Sequence, residues 1–186
     1  FSLANELRTL GITRARHFRM EHHLAHLLSA RYLSKEEMPA LLSIDGLGDF
    51  VSVAMGKSTR EGVEILDRIF FPHSLGFFYT ALTQYLGFPH YGDEFKVMGL
   101  SSFGKNAYAH AMQELIREKK GSAFELNLEA FPLLKNPMQF SIEKSQPKVK
   151  PFYSTGFLTQ ILGLPPRKPS DPLTDAHKNL AFSVQT

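Results

Sequence analysis

The sequence predicts an α/β domain. Apolar residues recur at three- and four-residue intervals in several separate segments, while between residues 40 and 71 three short apolar runs are bounded by turn chemistry. With 43% hydrophobic and 21% charged residues, the 186-residue chain can bury a substantial core and does not read as disordered.

The elements follow in order. "LANELRTLG" sets Leu3, Leu7 and Leu10 at helical spacing and closes on Gly11. "EHHLAHLLSARYL" repeats Leu24, Leu27, Leu28, Ala30 and Leu33 on a helical period. After Pro39, "ALLSIDGLGDFVSVAMG" splits into runs 40–44 and 50–55 joined by Asp-Gly-Leu-Gly, which predicts a hairpin with its turn at Asp-Gly. "VEILDRIFF" predicts a third strand. "SLGFFYTALTQYLGF" predicts an aromatic helix capped by Ser74 and ending near Gly87, and "DEFKVMGL" a short helical turn.

"AYAHAMQELIREKKG" predicts an amphipathic helix with Ala111, Leu115 and Ile116 on one side and Lys119 and Lys120 in its last turn before Gly121. Prolines 132, 137, 147 and 151 and lysines 144, 148 and 150 predict a long irregular excursion around 131–151. "YSTGFLTQILG" and "DPLTDAHKNLAFSVQ" return to helical spacing, the latter with Asp171 as cap and Pro172 in the first turn. Because the chain starts at Phe1 and stops inside a helical pattern, both ends read as cuts in a longer protein.

Composition removes several classes of chemistry. Without cysteine, thiol nucleophiles, disulfides and Cys-based zinc sites are excluded, so histidine and carboxylate must hold any metal, and a reducing cytoplasm is the expected location. The net charge of +3 is spread thinly, and the lysines of 144–150 lack aromatic interleaving, so no nucleic-acid partner is expected. No apolar run reaches the about 20 residues that span a bilayer, and the opening residues lack the order of a signal peptide, so no membrane partner is expected.

Three of the eight histidines fall within "EHHLAH". Residues four apart on a helix differ by about 40° in direction, so His22 and His26 can grip one ion while His23 points elsewhere. Two imidazoles suit a borderline divalent ion and need a carboxylate, for which Asp45 after "ALLSI" is the nearest candidate. Each residue also has a structural reading, as surface or core histidine or as hairpin turn, and the two readings weigh about evenly. A zinc peptidase is disfavoured, because His23 stands where that motif needs a glutamate base. Gly46 and Gly48 expose backbone N–H groups able to approach a phosphate or nucleotide, and turn use explains them equally well. Asp93, Glu94 and Lys96 crowd between two glycines, where a binding role and a solvated helix start again weigh equally.

Taken together, "HHLAHLLSARYLS", "IDGLGD", "SLGFFYTALTQYLGF" and "GDEFKVMGLSSFG" resemble, in order and approximate spacing, the O-carbamoyltransferase family of nodulation and antibiotic-tailoring enzymes. The resemblance covers about half of the chain, and "AHKNLAFSVQ" is similar to a later helix of the same domain. It implies an incomplete actin-like (ASKHA, RNase H-like) domain, a mixed sheet flanked by helices. All of 1–186 would be part of one N-terminal domain, with the adenylate-forming YrdC-like domain of the same polypeptide absent from this segment. The implied activity is transfer of a carbamoyl group from carbamoyl-adenylate, made from carbamoyl phosphate and ATP, to a small-molecule acceptor hydroxyl.

The same resemblance implies His22, His26 and Asp45 as ligands of a divalent metal, iron first and zinc or manganese as alternatives. It implies Gly46, Gly48, Glu94 and Lys96 as nucleotide contacts. His23 is a candidate base, with packing as its competing role. Ser101, Ser102 and Phe103 replace the Ala-Pro-Tyr of many relatives. An opening strand with phosphate-flanking acid and histidine groups is missing, as is a later aspartate for the metal, so this segment by itself is expected not to turn over. The rival expectations are a tRNA-modifying or kinase-like relative on the same scaffold and a non-catalytic interaction domain.

Overall fold

A computed structural model describes residues 3–132, 140–143 and 146–186. Helix α1 (Leu3–Thr9) is followed by an exposed segment that is neither helix nor strand and then by α2 (His22–Leu33). Strands β1 (Ala40–Gly48), β2 (Val51–Thr59) and β3 (Gly62–Phe70) form a three-stranded antiparallel sheet in that order. Among the described residues every strand pair is antiparallel, so the expected mixed sheet appears here only as an antiparallel meander beside helices.

The hairpin is present, but its turn lies later than Asp-Gly. Asp45, Gly46 and Leu47 belong to β1, whose pairing with β2 is irregular between Ile44 and Gly48, and the chain reverses at Asp49 and Phe50, with φ of 51° and 63°. The irregularity lets the Asp-Gly-Leu-Gly stretch leave the regular pleat without ending the strand. In β1, Leu41 and Ser43 point inward at 6% exposure each, whereas Leu42 and Ile44 point outward.

Helix α2 lies on this sheet. Its buried residues are His23 and Leu27, one turn apart, and Leu33 is exposed, so the buried face is narrower than the leucine spacing suggests. Leu27 packs in a small cluster with Leu41, Val51 and Ala54.

A larger core is built around α3 (Leu75–Tyr85), whose Ser74 cap accepts from Phe77 N–H at 3.2 Å as expected. Phe78, Ala81, Leu82 and Tyr85 pack against residues of α4 (Glu94–Ser101), α5 (Ala109–Leu115), α6 (Thr155–Leu162) and α7 (Asp175–Gln185). Gly76, in the first turn of α3, lets the helix press onto β1: a Cβ there would stand 2.8 Å from the Gly46 backbone.

Three other expectations change. The helix after residue 108 stops at Leu115, and Ile116–Lys119 (β4) instead pairs with Ser122–Leu126 (β5), turning at Gly121 with φ +84°. Backbone pairing with 122–126 overrides the helix preference of "IREK". Within the stretch read as irregular, β6 (Phe140–Glu143) pairs with β7 (Gln146–Val149), while Pro137, Lys144 and the Lys148 side chain lie outside the described residues. The last helix starts at Asp175 with Thr174 as cap and His177 completing a capping box, not at Asp171-Pro172. Among the described residues no helix is long and apolar enough to cross a membrane.

Candidate metal site and adjoining cleft

The site begins at the first turn of α2. Its free N–H groups are claimed by carboxylates: Glu21 accepts from His23 N and Leu24 N at 3.1 and 2.8 Å, and Asp49, from the β1–β2 turn, accepts from His22 N at 2.8 Å. These acids satisfy orphan donors and suit the positive end of the helix. His23 enters the core with 0% exposure, where its Nδ1 is 2.9 Å from Ser43 Oγ and its Nε2 is 2.8 Å from Val51 O. A carbonyl can only accept, so Nε2 carries the hydrogen and Nδ1 accepts from the serine hydroxyl. His23 thus ties α2 to both β1 and β2.

With His23 facing inward, His22 and His26 emerge on one flank of the helix and meet Asp45 from β1. His22 Nε2 is 2.7 Å from Asp45 Oδ2 and 3.0 Å from His26 Nε2, and His26 Nε2 is 3.7 Å from Asp45 Oδ2. One donor atom from each residue lies within 4.8 Å of the others, so the group could hold a metal ion. The donor set fits such an ion. Ligands on adjacent corners about 2.1 Å from a metal stand about 3 Å apart, and two imidazoles with one carboxylate on one face form a recurrent motif for divalent iron. Protons alone leave the cluster unbalanced, since His22 Nε2 has one hydrogen or one lone pair yet faces two partners. Asp45 is held below the usual carboxylate range, foremost by the His22 hydrogen bond, with burial opposing and the Gly46 N–H and imidazole charges adding.

Asp45 also lines a cleft of about 920 Å³. Gly46, Phe77, Tyr79, Thr80, Tyr91, Met98 and Phe152 line it, with Glu94 and Gln185 as polar groups. Glu94 Oε1 accepts from Thr80 Oγ1 at 2.6 Å, and Tyr79 OH donates to Gln185 Oε1 at 2.8 Å. Burial, with the negative charge of Glu94 adding, raises the Tyr79 phenol above its ordinary value. Ser74 Oγ donates to Gly46 O at 2.7 Å, tying this stretch of the cleft lining to the start of α3.

Among the residues singled out from sequence, His22, His26 and Asp45 converge, and Gly46 and Glu94 line the cleft beside them. Gly48 sits against the His22 ring and is not part of the lining. Lys96 turns away to Asp93 at 2.5 Å and lies over the Phe88 and Phe95 rings. Sequence reasoning overlooked Asp49, Ser43, Gly76 and Thr80. The second Asp of "DGLGD" was a visible signal for Asp49, since an acid beside a turn is a ready partner for a helix N-terminus.

Geometry thus defines a class: an α/β domain with a histidine–aspartate group able to hold a metal beside an aromatic cleft. Residues 2–153 match the family model described as "Carbamoyltransferase N-terminus", and the chain belongs to that family. It is 30% identical over 172 residues to the uncharacterized protein sll1178 of Synechocystis, a match covering 89% of this chain and 25% of that protein. It is 40% identical over 90 residues to nodulation protein NolNO of Sinorhizobium fredii, covering 47% of this chain and 13% of the relative. Nodulation protein NolO of Bradyrhizobium diazoefficiens is 41% identical over 87 residues, covering 46% and 15%. The chain therefore spans a quarter or less of the length of these relatives.

Proposed function

We propose that this chain is the metal-binding part of a carbamoyltransferase that moves a carbamoyl group from carbamoyl-adenylate to a hydroxyl of a small-molecule acceptor. The adenylate would be made from carbamoyl phosphate and ATP by a YrdC-like domain of the same polypeptide, and the scaffold would be an incomplete actin-like domain. The observation that carries the reading is the convergence of His22, His26 and Asp45, the last of which also lines a cleft, in a chain of this family.

His22, His26 and Asp45 would hold a divalent ion, iron first and zinc or manganese as alternatives. Such an ion supplies Lewis acidity toward a carbonyl or lowers the pKa of a hydroxyl. The chain's own residues do the rest. Asp45, an aspartate that the His22 hydrogen bond holds below the usual carboxylate range, is an anion at neutral pH and can ligate as one. Phe77, Tyr79 and Phe152 form largely apolar walls that would shield part of a reactive acyl donor from water. Gly46 offers a wall without a side chain, and Glu94, oriented by Thr80, faces the space where the hydroxyl groups of a nucleotide would be accepted.

Lys96 would reach a nucleotide only by leaving Asp93, so the nucleotide-contacting role in "GDEFK" falls to Glu94. His23, with both ring nitrogens engaged and no exposed surface, holds the helix in place and is not the base.

The test uses the full gene product. Carbamoyl phosphate-dependent ATP–pyrophosphate exchange should persist in His26→Ala, because adenylate formation occurs in the other domain, whereas consumption of carbamoyl-adenylate should fall at least about 100-fold. Undiminished consumption of carbamoyl-adenylate by His26→Ala would remove the assignment.

A further inference from the structure

The two glycines of Asp-Gly-Leu-Gly do different work. A Cβ built on Gly46 would meet only the Phe77 ring, at 3.6 Å, an ordinary contact. One built on Gly48 would stand 2.1 Å from His22 Cδ2, 2.2 Å from Cγ and 2.7 Å from Nε2. Gly48 is buried at the end of β1, paired with Val51, and its φ lies outside the left-handed region. Conformational freedom therefore does not explain a glycine here. The space does.

We propose that Gly48 is a positioning residue of the metal site, its missing side chain forming the seat in which the His22 imidazole lies against Asp45. The inference rests on the metal reading of the cluster. Asp49 fixes the backbone end of His22 by accepting its N–H at 2.8 Å, and Gly48 admits the ring. Because Cγ is among the atoms a Cβ would strike, a small tilt does not relieve the clash and the whole ring must leave. The His22 side chain is 41% exposed, so the displaced ring has solvent to move into, and moving it breaks its contact with Asp45. A methyl at residue 48 thus costs a metal ligand while sparing the fold.

The test measures cobalt(II) affinity of the full gene product by titration, wild type against Gly48→Ala. It also measures modification of His22 by diethyl pyrocarbonate in the metal-free protein, with His110, 88% exposed, as internal reference. Gly48→Ala should weaken cobalt binding about 10–100-fold, the range for groups that orient a ligand, and should speed modification of His22 relative to His110. Wild-type affinity in Gly48→Ala, or an unchanged His22 rate, overturns the proposal. If the wild type binds no cobalt, the metal reading fails and the His22 rate alone decides the seat. Should Gly48→Ala fail to fold, His22→Ala/Gly48→Ala decides: folding of the double variant upholds the seat, and its failure overturns it.

Discussion

His22 Nε2 and Asp45 Oδ2 lie 2.7 Å apart although 23 positions separate them in the chain. Neither residue is on an element that could find the other by itself. The distance is set by how α2 docks on β1 and β2, through the His23 bonds to Ser43 and Val51 and the burial of Leu27.

Leu27→Ala should therefore damage both stability and the site. Leu27 has 0% exposure in a cluster of few residues, so the loss should be about 2–5 kcal/mol. Chemical denaturation measures the first effect. Metal titration of the folded fraction measures the second, which should appear as weaker binding even though Leu27 supplies no ligand atom.

Arg167 should be irreplaceable for a different reason. The residue is 9% exposed, and its guanidinium donates to the carbonyls of Leu86 at 2.7 Å and of Asp171 and lies 5.0 Å from the Phe88 ring centroid. Arg167→Met leaves these carbonyls unpaired and should cost at least about 2 kcal/mol by denaturant titration. Arg167→Lys should not restore stability, because an ammonium cannot reproduce the planar fork.

Acid should weaken the fold through His73 and His177. His73 Nδ1 accepts from Leu126 N at 3.1 Å, and His177 Nδ1 accepts from Thr174 N at 3.1 Å within the capping box of α7. Burial first, then Lys119 for His73 and Arg167 for His177, lowers both pKa values below the ordinary 6.5. The unfolded chain then binds protons more readily than the folded one. The stability these neutral rings contribute is full above about pH 6.5 and is lost as pH falls toward the folded-state values. Thermal melting from pH 8 to 5 should show this decline. His73→Asn/His177→Asn, which keeps an acceptor without a titrating ring, should flatten it; an unchanged slope would assign the decline to other groups.

Much of this was legible in the sequence where one local force dominates. The helix carrying "HHLAH", the three strands and the Ser74 cap follow from periodicity and capping. The pairing of His22 with His26 follows from helical geometry alone. Asp-Gly was misread as the turn because that dipeptide ordinarily supplies one, whereas the chain reverses at Asp49-Phe50, where a phenylalanine takes a positive φ.

The strand at 116–119 was hidden because only its partner at 122–126 makes it extended. Of the cleft, only Gly46 and Glu94 were legible, through the family resemblance. Its walls come from β1, α3, α4, Phe152 and Gln185, residues brought together by packing and sharing no sequence pattern. That a side chain at residue 48 would strike the His22 ring likewise needs coordinates.

The most direct measurement is metal content, by elemental analysis of the full gene product purified under reducing, anaerobic conditions, for the wild type, His26→Ala and Asp45→Asn. The expected result is about one divalent ion per chain in the wild type and a large loss in both variants with the fold retained by circular dichroism. An ion held equally by all three proteins would contradict the assignment of His22, His26 and Asp45 as its seat.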